Sequence, residues 1–226
     1  MSDEFTAMPA IGYGTAAKWN AGLWYEAVPA PSCFSWSAAA GLTITAPSSG
    51  GNVNLTTESH DTTAAASAMY GYFEAMIAGT NWPAFWLFSL LHSRGAAGLC
   101  SELDIFEGNS TLAPDTFYGT LHSNTGGGGG VPDTFNMGAG VGALNPINTP
   151  TQLIGGPYNK FGALWTPTGA TWFLNDVQLA TAPAFASSAQ QMFLILSAQP
   201  GGISKGPVTQ PVWTACKYIR SWGPAP

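Results

Sequence analysis

Apolar and polar residues alternate in short runs along this chain, and turn residues separate the runs. Gly41–Ala46 sets Leu42 and Ile44 against Thr43 and Thr45, the period of two of a half-buried strand. Ser48–Gly51 reads as a turn, and Met69–Ile77 as a strand of aromatic and β-forming residues. Pro83 interrupts the next segment, so a buried strand is expected over Ala84–Leu90, with a small-residue loop over Ser93–Gly98. Ser101–Gly108 and Phe117–Ser123 read as strands. The five glycines Gly126–Gly130 read as a mobile loop, and Asn145–Thr151 as a second one set by Pro146 and Pro150. Asn159–Trp165, Ala170–Leu174 and Val177–Ala180 follow as strands. Asn175 and Asp176 stand between the last two at hairpin spacing. Pro183–Gln190 is the one candidate for a helical turn, before closing strands over Gln191–Gln199 and Val212–Trp222.

This series of short strands predicts an all-β sandwich or barrel. There is no internal repeat and no linker between two cores, so residues 1–226 read as one domain, with 1–10 a flexible tail. The 28 glycines and 17 prolines cut the chain too often for long helices. Hydrophobic residues make up 46%, enough for a sizeable core at this length.

Charge removes several function classes. Charged residues are 8% of the chain, against about 25% in an average soluble protein. Six Lys and Arg against twelve Asp and Glu give a net charge of −6, and the cations are spread singly. Nucleic acid and anionic membrane surfaces are therefore not expected partners. The longest apolar runs fall far short of the roughly 20 residues that span a bilayer. Met-Ser-Asp-Glu-Phe at the start has no basic region and no apolar stretch, so it is not a signal peptide. Either the protein is cytosolic or a targeting segment has been removed. Cys33, Cys100 and Cys216 allow one disulfide and a thiol, or three thiols, and no Cys-x-x-Cys pair suggests zinc. Asn-x-Ser/Thr triplets at Asn54 and Asn109 are of a kind that often arises by chance. No Gly-x-Ser-x-Gly elbow and no phosphate-loop motif occurs.

The informative stretch is Ser-Glu-Leu-Asp-Ile-Phe-Glu-Gly. In a regular strand Glu102 and Asp104 share a face, and Glu107 falls on the other among Leu103 and Ile105. One extra residue at Ile105–Phe106, a β-bulge, removes that conflict and puts Glu102, Asp104 and Glu107 on one face. Four effective steps of about 3.3 Å then separate the end Cα atoms by roughly 13 Å. Long Glu side chains leaning inward bring two carboxyls to about 5–5.5 Å, the spacing of a retaining glycosidase. Three clustered carboxylates repel, so at least one is expected to hold its proton near neutrality, as a general acid must. The same residues are also compatible with a solvated strand face, or with three ligands for Ca²⁺.

Glu-Leu-Asp-Ile-Phe-Glu resembles the catalytic signature of glycoside hydrolase family 16 in its bulged form, Glu-x-Asp-x-x-Glu. Tyr70-Gly-Tyr-Phe-Glu-Ala, Asn81-Trp-Pro-Ala-Phe-Trp-Leu, Gly119-Thr-Leu-His, Phe161–Asn175, Met192–Gly202 and Tyr218–Trp222 resemble further blocks of that family, in family order. The resemblance implies a β-jelly-roll sandwich of two antiparallel sheets with a concave cleft. It implies Glu102 as nucleophile, Glu107 as acid/base and Asp104 as the residue that orients and tunes the nucleophile. The bulged signature is typical of laminarinase-like, agarase and carrageenase branches, and the unbulged one of lichenases and xyloglucan enzymes. A neutral β-1,3-glucan or mixed β-1,3-1,4-glucan is the expected substrate, since sulfated galactans want more cations. Agarase- or transglycosylase-type chemistry and a lectin-like binding module are the alternatives. No cofactor and no metal is expected. The family is mostly extracellular, and a monomer is expected.

Glu74, Trp82, His122 and Gln199 are the expected substrate-binding residues. Glu74 lies on a strand whose family counterpart lines the cleft, and His122 can bond sugar hydroxyls or the acid/base. Gln199 shares a face with Ser197, but also with Phe193 and Ile195. Trp82, near the strand mouth, is the better stacking platform and Trp86 the better core residue; Trp165 and Trp172 are expected to divide between cleft and core. Four positions depart from the family pattern. Met76 stands for an Arg, Cys100 and Gly98 stand where relatives place a stacking Trp, and Lys217 stands for an Asp that holds structural calcium.

Overall fold

The computed structural model describes residues 1–14, 17–48, 51–80, 82–93, 99–108, 116–125, 137–138, 140–141, 147–148, 153, 155–183, 189–200 and 211–223. In chain order its strands are β1 (Ile11–Gly12), β2 (Trp19–Ala21), β3 (Phe34–Ser37), β4 (Gly41–Ala46), β5 (Val53–Thr56), β6 (Ser67–Ala68), β7 (Gly71–Gly79), β8 (Trp82–Ser89), β9 (Leu99–Gly108), β10 (Thr116–Thr125), β11 (Met137–Gly138), β12 (Gly140–Val141), β13 (Ile147–Asn148), β14 (Asn159–Thr166), β15 (Gly169–Leu174), β16 (Val177–Pro183), β17 (Met192–Gln199) and β18 (Val212–Trp222). Strands β11 and β12 form a separate two-stranded sheet; of the two large sheets, one runs β1-β2-β5-β17-β8-β9-β10-β13, with β6 beside β17, and the other runs β16-β15-β14-β7-β18-β4-β3. Nearly all pairings are antiparallel; β1 and β2 run parallel. We call them the acid sheet and the opposite sheet.

The two sheets close on one core. Leu103, Ile105 and Phe106 of β9, Phe85 and Leu87 of β8 and Leu194 and Leu196 of β17 meet Phe73, Phe161, Trp165 and Trp172 of the opposite sheet. Phe106 stacks on Phe161 across the sandwich with centroids 3.6 Å apart, and Phe117 packs on both at 5.6 Å. Aromatic pairs of this kind contribute about 0.5–1.5 kcal/mol each beyond their buried area.

Local chemistry explains most boundaries. Leu42, Ile44 and Ala46 of β4 are buried while Thr43 and Thr45 are half-buried, as the alternation predicts. Asn175 and Asp176 hold φ of 49° and 69°, the paired left-handed values of a tight hairpin, and β15 and β16 leave from them.

Some expectations change. β8 runs through Pro83 instead of starting after it. Pro83 faces Ala198 of β17, whereas pairing with β9 begins at Ala84 and Glu107. Proline therefore has a strand neighbour on one side only, the setting in which a missing N–H is tolerated. Residues 1–10 are not a loose tail. Phe5 is buried in the core, and Asp3 exchanges backbone bonds of 2.7 and 2.8 Å with Ile219. Ile147–Asn148, expected in a loop, pairs as β13 with β10. The glycine run and residues 94–98 lie outside the described residues, as does most of the expected helical turn before Gln191. Asn54 of the first triplet is buried, which leaves no room for a glycan. Cys33 and Cys216 are free thiols; burial pushes the Cys216 thiol well up. Among the described residues no helix is long and apolar enough to cross a membrane.

Candidate active site

The site begins with one extra residue. Glu107 stands opposite Ala84 and Phe106 opposite Phe85, but the next partner of Trp86 is Asp104. On the other side Tyr118 pairs with Glu107 and Thr120 with Asp104. Both ladders slip at Ile105, so Ile105 and Phe106 both turn into the core, and Asp104 and Glu107 both turn out. This is the bulge the sequence requires, at the position it requires.

The outward residues fall into successive rows across the sheet. One row holds Asn54, Ser197, Ala84, Glu107 and Tyr118. The next holds Thr56, Ile195, Trp86, Asp104 and Thr120, and a third holds Phe193, Phe88 and Glu102. Asp104 is 1% exposed, and Glu102 and Glu107 are half-buried on either side of it. Rows two residues apart are separated by about 6.6 Å, so the two glutamates bracket a gap that long side chains can narrow from both ends.

Neighbouring side chains build the floor of that face. Trp82 stacks on Tyr118, with centroids 6.0 Å apart, and its indole N–H points at Glu107 Oε1, 3.4 Å away. A hydrogen-bonded chain crosses the sheet toward Asp104. Trp86 donates to Ser197 Oγ at 2.9 Å, Ser197 donates to Asn54 Oδ1 at 2.5 Å, and Asn54 donates to Glu26 Oε2 at 2.7 Å. At the far end, Trp24 stacks on Phe88 at 5.6 Å and meets Phe193 edge-on at 6.3 Å. That aromatic cover explains why Phe193 and Ile195 share a face with Ser197 and Gln199. Tyr25 is 67% exposed, yet its phenol is pushed up to about 12 by partial withdrawal from water, then by the charges of Glu26 and Glu102. The hydroxyl therefore stays neutral and within electrostatic reach of Glu102.

The structure sorts the expected binding residues. Gln199 pairs with Trp82 on the outward parity of the acid sheet, and His122 stands opposite Glu102. Glu74 is a correction. It lies on β7 in the opposite sheet and alternates with core residues Phe73 and Ala75, so it faces away from the acids. Its carboxylate is flanked by Lys160 at 3.9 Å and Arg220 at 3.7 Å. The two tryptophans exchange roles: Trp82 is 2% exposed beneath the site, while Trp86 is the half-exposed ring beside Asp104. Trp165 and Trp172 are both core residues. Sequence reasoning missed Tyr25, Glu26 and Asn54. The alternation Val53-Asn54-Leu55-Thr56 is the signal that marks a strand with a polar outer face, and so could have placed Asn54.

No family model matches the chain. A curated relative, endo-1,3-1,4-beta-glycanase EglC of Rhizobium meliloti (strain 1021), is 27% identical over 179 residues, which cover 74% of this chain and 34% of the relative. The chain thus spans about a third of that protein's length. The laminarinase catalytic domain of Thermotoga maritima MSB8 superposes with a TM-score of 0.74 at 17% identity, over 100% of this chain and 98% of that one. A GH16 protein of the Bacteroides ovatus mixed linkage glucan locus, bound to a G4G4G3G product, gives 0.71 at 16% identity over 98% and 99%. The fold is that of the family 16 glycoside hydrolases. Within the family 16 fold, Lys217 places its ammonium 4.9 Å from the centroid of the Tyr158 ring. An ammonium held there would repel a calcium ion at the same position.

Proposed function

We propose that this chain is a retaining endo-β-glycanase of family 16 that cleaves a neutral β-1,3-glucan or mixed β-1,3-1,4-glucan. The observation that carries the reading is the bulge at Ile105, which aligns Glu102, Asp104 and Glu107 in successive rows of one face. Glu102 attacks the anomeric carbon while Glu107 gives its proton to the departing glycosidic oxygen. The C–O bond breaks and a glycosyl ester of Glu102 forms. Glu107, now a carboxylate, takes a proton from water, whose oxygen attacks the same carbon and releases Glu102. Asp104, buried between them, orients Glu102.

The half-exposed Trp86 ring offers a sugar-stacking surface beside Asp104, with Gln199 on the same face, His122 opposite Glu102 in register and Tyr25 within electrostatic reach of Glu102. The substrate class is supported by the curated relative, a 1,3-1,4-glycanase, and by the laminarinase fold. A polymer of this size is met outside the cell, so we place the protein there, acting as a monomer.

The test pairs wild type with Glu102→Ser on laminarin, lichenan, agarose and xyloglucan, following reducing ends and affinity-gel retardation. Wild type is expected to release reducing ends from laminarin or lichenan. The variant should lose about 10⁴-fold or more in turnover while still being retarded by the same glucan. Release from agarose alone moves the substrate to a galactan, and longer products on adding acceptor oligosaccharide indicate transglycosylation. Retardation by wild type with no release from any polymer makes the chain a binding module.

A further inference from the structure

The bulge needs something to hold it. Trp172 belongs to β15 in the opposite sheet, is fully buried, and reaches across the core. Its indole N–H donates to the backbone carbonyl of Asp104 at 2.8 Å. That carbonyl belongs to the residue just before the extra one. The residue facing the bulge from β10 is Gly119, and a Cβ there would stand 2.7 Å from Trp172 Cδ1 and Nε1. The indole edge therefore occupies the space a side chain at 119 would need. Trp172 also sits beside a register slip of its own, between β15 and β16, so irregularities in the two sheets meet at one ring.

We infer that Trp172 is a positioning residue for catalysis: seated on Gly119, it clamps the Asp104 carbonyl and so keeps the bulge that turns Glu107 toward Glu102. The inference rests on the proposed glycanase reading. A ladder slipped by one residue sends a side chain to the other face, so fixing this carbonyl fixes the face of Glu107. Asp104 and Glu102 lie on the near side of the clamp and depend on it less. Loss of the clamp should therefore harm proton donation more than nucleophilic attack.

The experiment uses Trp172→Phe, which keeps a ring and removes the donor. A second variant carries benzothienylalanine at 172, which replaces the N–H by sulfur at constant shape and guards against a folding failure. Each is compared with wild type by kcat/KM on a glucan oligosaccharide and on the corresponding 2,4-dinitrophenyl β-glycoside, whose leaving group departs without a proton. The expected result is at least a tenfold loss on the oligosaccharide and less than a threefold loss on the dinitrophenyl substrate. Equal losses on both, or none on either, overturn the inference and leave Trp172 as core filling. If wild type cleaves neither substrate, the glycanase reading falls, and crystal structures of wild type and the benzothienylalanine variant decide the clamp. Displacement of the Ile105–Glu107 backbone supports it, and superposition of that segment refutes it.

Discussion

The two outward faces of the sandwich treat acids in opposite ways. On the opposite sheet Glu74 is buried between Lys160 and Arg220, Lys160 also pairs with Asp176, and Arg220 makes two bonds to Glu4 at 2.8 and 2.9 Å. The Arg220 guanidinium also lies 3.9 Å from the centroid of the Tyr218 ring. Tyr72 beside Glu74 has its phenol pushed up to about 12 by burial and then by that carboxylate. On the acid sheet three carboxylates are set side by side, among indoles and amides. Of the chain's six cations, the four with described side chains meet acids or rings elsewhere: Lys18 with Asp3, Lys217 on Tyr158, and Lys160 and Arg220 as above. Arg94 and Lys205 lie outside the described residues. The same residue type, Glu on a strand, is thus held between cations on one face and, in the proposed mechanism, does the chemistry on the other. Only the sheet and the partners tell them apart.

The sharpest way to break this comparison exchanges a carboxylate for an amide on each face. Glu107→Gln should lower kcat/KM on glucan by about 10³-fold, the range of a lost general acid, with little change in melting temperature. Glu74→Gln should leave kcat/KM within twofold and cost about 1 kcal/mol. Breaking one side of a buried pair costs more, but Lys160 and Arg220 keep Asp176 and Glu4 and are themselves 19% and 39% exposed. In a chain of this length that lowers the melting temperature by about 2–4 °C. Kinetics and thermal melts on the two variants decide it. A Glu74 variant that loses activity and keeps its melting temperature erases the distinction.

A smaller effect sharpens the acid face itself. Ser197 links the Trp86 indole to Asn54, and through it to Glu26. Ser197→Ala removes that link, at about 1–3 kcal/mol for groups left partly unsatisfied. If the chain of bonds holds the Trp86 ring for stacking, KM for oligosaccharide should rise about fivefold while kcat stays within twofold. Initial-rate kinetics with product-titration calorimetry separates the two parameters. An unchanged KM with a lower melting temperature assigns the bonds to folding alone.

What the sequence reveals follows the range of each interaction. The bulge was legible because it is a local conflict: three acids within six residues cannot share a face without an added residue. Strands such as Gly41–Ala46 and Val212–Trp222 were legible because alternation is local too. Glu74 was misplaced because the resemblance of its strand to one lining a cleft does not say which sheet Glu74 faces out from; that depends on β7 pairing with β14 and β18, far along the chain. The Trp82 and Trp86 exchange has the same origin, since only the cross-strand partners Tyr118 and Ser197 decide which ring is covered. The packing of Phe5 and the Trp172 clamp are long-range contacts that periodicity does not record.

The smallest expected effect tests whether ion pairing away from the acids serves stability in particular. Asp3 accepts from Lys18 Nζ at 2.8 Å, Trp19 Nε1 at 2.9 Å and Phe5 N at 3.0 Å, and its backbone pairs with Ile219 of the opposite sheet. Partial burial alone raises the Asp3 pKa, but these bonds outweigh it and hold the carboxyl below its ordinary value. A folded pKa below the unfolded one, about 3.9, stabilises the native state above that pH, and the contribution is lost as pH falls through the folded value. Lys18 is 53% exposed, so solvent screening limits the gain to under about 1 kcal/mol. Asp3→Asn should therefore melt slightly below wild type at pH 7, and the gap should close as pH falls from about 5 to about 2. The gap is the correct readout because Glu4 and Asp61 also titrate low, Glu4 through Arg220 and Asp61 at about 2 through Ser59 and Thr63, and they shift both proteins alike. A gap that stays constant with pH would mean that the shape of the Asp3 turn, and not its charge, fastens the first residues to β18.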